Sequence, residues 1–104
     1  MANAKAYFLL PTKDNDGRDL TSEIEQVRME LWMRFFAFTK EGEVEGVFKM
    51  SDGSLAFDVN EKYAVIIDEA AINELEEILR EFKKRTLQEK IYLEIQHNVD
   101  FRLI

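Results

Sequence analysis

Apolar positions recur along the chain in two rhythms. Ala4 to Leu10 holds Ala-Tyr-Phe-Leu-Leu and stops at Pro11, the mark of a short buried strand. Asp14-Asn15-Asp16-Gly17 follows as a turn, since these residues accept the backbone angles turns demand. Ser22 with Glu25 spells a capping box, and Ile24, Val27, Leu31 and Phe35 then repeat at helical spacing. A helix is predicted over 22–36. From Phe38 to Asp68 the period becomes that of strands. Turns are expected at Lys40-Glu41-Gly42-Glu43 and Ser51-Asp52-Gly53-Ser54, with Val44 to Met50 between them. Leu55, Phe57 and Val59 alternate, Asn60-Glu61 reads as a break, and Tyr63 to Ile67 is apolar on both faces, as in a central strand. Ile72, Leu75, Leu79 and Phe82, with Ile78 beside them, predict a second helix over 69–86. Ile91, Leu93 and Ile95 alternate, and Val99, Phe101 and Leu103 alternate again. They predict a last strand with an edge hairpin, or one long bent strand.

This order gives an α+β class: a ferredoxin-like split βαβ (βαββαβ with extra meander strands), an antiparallel sheet with two helices on one face. The length of 104 residues fits a single domain over 1–104. No apolar run approaches the roughly 18 residues needed to span a membrane. Met1 to Thr12 shows no signal-peptide pattern, so a cytoplasmic location is expected. The absence of cysteine excludes disulfides, thiolate metal sites and cysteine nucleophiles.

Charge changes the picture further. The net charge is -7, and residues 41–77 hold eleven acids against Lys49 and Lys62 alone. Direct nucleic-acid binding needs clustered bases and is not expected. Arg80, Lys83, Lys84 and Arg85 end a helix that opens with acids, a pattern that complements the helix dipole.

Leu10-Pro11-Thr12-Lys13-Asp14-Asn15-Asp16-Gly17 resembles a family of short uncharacterised bacterial proteins with a Leu-Pro-x-x-Asp-Asn-x-Gly turn after the first strand. The similarity continues through Phe38-Thr39, Gly46-Val47, Asp58 and Gln88-Glu89-Lys90-Ile91-Tyr92. Members often carry Gly-Gly before the Phe-Thr pair, where this chain has Phe36-Ala37. The resemblance implies a βαββαβ fold and no activity.

Candidate chemistry is sparse. Setting Gly17 at the centre of a calcium loop puts Asp14, Asp16 and Glu23 at ligand positions. Thr12 and Asp19 fit that pattern badly, and the helix cap uses the same segment. His97 is the one histidine and has no sequence-visible partner; Ser22, Ser51 and Ser54 have cap or turn explanations. No catalytic set and no cofactor are expected. The first helix carries a second apolar stripe of Met29, Trp32, Met33 and Phe36, and the C-terminus adds Val99, Phe101 and Leu103. Both suit an interface, since Trp and Met are enriched in interface cores. The leading reading is a non-catalytic interaction or regulatory module, joined as a homodimer. One alternative is an acidic phage or mobile-element inhibitor that mimics nucleic acid toward a partner with a basic surface. A second is a small enzyme or ligand-binding protein with a helix–sheet pocket.

Overall fold

In a computed structural model that describes residues 2–104, the chain forms four strands and two helices. Met1, part of the N-terminal stretch read above, lies outside the described residues. The strands are β1 (Asn3–Pro11), β2 (Thr39–Lys49), β3 (Leu55–Asp68) and β4 (Leu93–Gln96). The helices are α1 (Thr21–Phe35) and α2 (Ile72–Arg85), the latter entered through a 3₁₀ turn, Glu69–Ala71. All strand pairs are antiparallel, in the order β2-β3-β1-β4.

Alternation along the paired central strands decides which face is covered. Ala6, Phe8 and Leu10 of β1 lie on the same side as Tyr63, Val65 and Ile67 of β3, and all six are buried. Against them pack Ile24, Val27 and Leu31 from α1 and Leu75, Ile78, Leu79 and Phe82 from α2. Both helices therefore cover one face of the sheet, around one core.

Several local expectations need correction. The α1 cap is not the Ser22–Glu25 box: the helix starts one residue earlier, and the Asp19 carboxylate accepts from both the backbone N–H and the hydroxyl of Thr21. A turned-back aspartate has satisfied the helix entrance before Ser22 is reached. Lys40 to Glu43 is no turn, because β2 runs through it with a bulge between Lys40 and Gly42. Gly42, at φ 125°, takes up the irregularity at no side-chain cost. Asn60-Glu61 does not break β3, since both residues are paired on two sides, with β1 and β2. The C-terminal alternation forms no strand; after Gln96 the chain is irregular, tied to β1 by Val99 N–H donating to Asn3 O at 3.0 Å.

Length sets the most consequential feature. Helices of 15 and 14 residues span about 22 Å at 1.5 Å per residue. β3 has 14 residues and reaches about 46 Å at 3.3 Å per residue. β1 stops opposite Asn60, so the rest of β3 and its partner β2 extend as a two-stranded arm beyond the third strand. The molecule is accordingly elongated, 44 × 25 × 23 Å.

The Asp14 turn anchors the entrance to α1. Asp14 accepts from the backbone N–H groups of Asp16 and Arg18 and from the Arg18 guanidinium. These bonds hold its carboxyl below the ordinary carboxylate range, the Arg18 backbone N–H contributing most. Asp19 and Asp52 are lowered by bonds from Thr21 and Ser54. A carboxylate lowered on folding stabilises the native state above its unfolded pKa of about 3.9 and loses that contribution as pH falls. Thermal stability should therefore drop as pH is lowered from about 5 towards 3. Melting curves across that range should fall less steeply for Asp14→Asn than for the wild type.

Candidate functional site

The two faces of the arm present different surfaces. On the side that continues the helix-covered face stand Leu55, Phe57 and Val59, with Val47 directly across from Phe57. No helix reaches them. Phe57 is 78% exposed, Leu55 60% and Val47 57%, so this apolar strip lies open to water. The outer edge of β2 is also unpaired among the described residues. Its Lys40, Glu41, Glu43, Glu45 and Lys49 are the kind of charges that discourage further edge pairing.

On its opposite side, the arm walls a cavity of about 510 Å³. Leu9 and Pro11 of β1 form one part of the lining, Gly46, Phe48, Asp58 and Asn60 of the arm another. The segment after α2 closes it with Gln88, Ile91 and Tyr92. Two contacts hold that segment in place. Leu9 N–H donates to Tyr92 O at 3.3 Å, and Ser51 N–H at the arm's tip donates to the Glu89 carboxylate at 3.2 Å. The overlong hairpin, not a helix, supplies the main wall of this cavity; a smaller one of about 300 Å³ lies between α2 (Glu76, Leu79, Arg80, Lys83) and Lys90, Ile91 and Leu93, where a helix–sheet pocket is expected.

Polar groups in this apolar cavity are under-used. Asn60 and Gln88 are each only 8% exposed. The Gln88 amide nitrogen is buried without a partner, and the Asn60 side chain makes no hydrogen bond among the described residues. A buried amide left unsatisfied costs about 1–3 kcal/mol. Asp58 has no ion-pair partner among the described residues, and burial pushes its carboxyl above the ordinary value.

A second polar cluster lies at the root of the arm. Buried Tyr63 donates to Glu61 and accepts a 3.4 Å bond from Arg28, whose guanidinium stands over the Phe38 ring; Lys40 pairs with Glu61 at 3.3 Å. Burial, then the Glu61 contact, raises the tyrosine pKa far above its usual value. The phenol stays a neutral donor, and the cluster has the form of a closed structural network.

The other sequence candidates fall as follows. Met29, Trp32, Met33 and Phe36 are all exposed, at 60–73%, on the far side of α1. Phe101 and Leu103 are exposed and Val99 half-buried. No three acidic or histidine side chains gather into a metal-holding group among the described residues, so Asp14, Asp16 and Glu23 are not brought together as one. His97 Nδ1 lies 3.0 Å from the Glu69 carboxylate on the surface. Of the eleven acids in residues 41–77, Glu41, Glu61, Glu74, Glu76 and Glu77 are ion-paired with Lys or Arg. That pairing thins the charge a nucleic-acid mimic would need. No described helix is long and apolar enough to cross a membrane.

No family model and no curated protein matches the sequence. Solved structures do share the α+β fold. CutA1 from Oryza sativa superposes with a TM-score of 0.70 at 12% identity, covering 98% of this chain and 84% of that one. A phage SAM lyase in complex with S-methyl-5′-thioadenosine gives 0.66 at 16% identity, over 92% and 81%. The phage SAM lyase in its apo state gives 0.62 at 14%, over 93% and 80%. At such identities the likeness is one of fold.

Proposed function

We propose that this protein is a non-catalytic interaction module that works as a homo-oligomer, a homodimer in its simplest form, built on a ferredoxin-like split βαβ scaffold. The strand order supports that scaffold: β1 and β2 run parallel with β3 between them, as a split βαβ unit requires. The observation that carries self-association is the uncovered strip Val47, Leu55, Phe57 and Val59, the continuation of a core face past the ends of both helices. Fully burying each such side chain is worth about 1.5–3 kcal/mol before association costs. Four per copy, on two copies, can hold a complex at micromolar concentration, which needs about 8 kcal/mol net. The exposed Met29, Trp32, Met33 and Phe36 offer a second surface on α1.

Comparing single charged substitutions separates the two surfaces. In size-exclusion chromatography with light scattering, Phe57→Glu should reduce the oligomer to 12.3 kDa, while Trp32→Glu should leave it assembled. The reverse outcome would move the interface to α1. Added salt should strengthen assembly, because it screens repulsion between copies of charge -7 while the apolar contact remains.

A further inference from the structure

We propose that the cavity between β1, the arm and the Gln88–Tyr92 segment binds a small uncharged ring compound bearing a carboxamide- or lactam-type edge. Two carboxamides, Asn60 and Gln88, line it at nine-tenths burial or more, from strands and segments remote in sequence. Each offers both a donor and an acceptor; the Gln88 Nε2 donor is buried with no partner within the described protein, and the Asn60 side chain forms no hydrogen bond there. A ligand edge that is only a donor or only an acceptor would leave half of each amide empty. A carboxamide or lactam edge, carrying both side by side, answers both.

The rest of the lining fits a ring. Leu9, Pro11, Phe48, Ile91 and Tyr92 give apolar and aromatic walls, the usual setting in which a few polar groups fix a ligand's orientation. Asp58 adds an acceptor for a ligand N–H and opposes an anion, while Lys90 also borders the cavity. Gly46 leaves the floor open: a side chain there would begin 3.6 Å from Asn60 Nδ2. Val47 of the proposed interface also borders the cavity, but Phe57 lies on the arm's other face and is not part of the lining, so substitution at Phe57 separates the two sites.

The test is titration of ¹⁵N-labelled protein with benzamide, followed by amide NMR shifts, against benzoate as the anionic near-isostere without N–H groups. Benzamide should give saturable, millimolar shifts centred on Leu9, Gly46, Asp58 and Tyr92, with benzoate at least roughly tenfold weaker, the equivalent of about one good hydrogen bond. Gly46→Val adds a strand-favouring side chain at ordinary contact distance and should abolish the response with the spectrum elsewhere unchanged. Gln88→Leu should weaken benzamide by roughly tenfold. Phe57→Glu should leave the response intact, which separates failure here from failure of the self-association reading. Equal responses to the two probes, no saturable shifts at these positions, or undiminished binding by Gly46→Val would each overturn the proposal; should Gln88→Leu not fold, Gly46→Val decides.

Discussion

Replacing Phe82 with alanine is expected to lower folding stability by about 3–5 kcal/mol, read as a shift in the denaturant midpoint with an unchanged slope. Phe82 is fully buried where α2 meets the sheet, in the same cluster as Phe8, Tyr63 and Leu31. Its loss removes the largest apolar contact α2 makes and leaves a cavity that close-packed neighbours fill only in part. In a protein whose net stability is of the order of 5–15 kcal/mol, that is a large share. Ile72→Ala, at the half-buried entrance of the same helix, should cost clearly less. Comparable costs for the two would mean that the core is not centred where both helices meet the sheet.

The second large effect runs the other way. Phe57→Glu removes a side chain that is 78% exposed, so within one copy it forfeits little burial and should change stability by no more than about 0.5 kcal/mol. On assembly the same change places a charge in an apolar contact, once for every copy, and should weaken association by at least about a hundredfold. A mutation silent for the monomer and ruinous for the oligomer identifies an interface. If Phe57→Glu instead lowers the melting temperature of a monomer, the strip belongs to intramolecular packing.

Much of this was legible in the residues, and the failures have physical causes. Period and punctuation placed α1 within one residue at each end and α2 within three, its expected first turn being the 3₁₀ turn Glu69–Ala71, and Tyr63 to Ile67 emerged as the central strand because both of its faces are apolar. The outward stripe of Met29, Trp32, Met33 and Phe36 was readable because a helix on one sheet needs only one apolar face. Glycine and acidic residues at 40–43 suggested a turn, yet a bulge spends the same glycine inside a strand. The alternation of Leu55, Phe57 and Val59 was visible, but alternation cannot say how far the helices reach; only relative lengths show that this face runs past them.

The cavity was hidden for a different reason. Asn60 looked like a strand break and nothing in the sequence singled out Gln88 as a site residue, since nothing local distinguishes a solvated amide from one that the fold has buried. Only the fold brings Pro11, Gly46, Val47, Asp58, Asn60, Gln88 and Lys90 to Tyr92, from segments remote in sequence, to one lining.

Self-association through the arm is tested most directly by mass. Sedimentation equilibrium of the wild-type chain across the micromolar range should give a whole-number multiple of 12.3 kDa that persists or grows with added salt, while Phe57→Glu stays at 12.3 kDa under the same conditions. A wild type that remains at 12.3 kDa throughout the range would contradict the account.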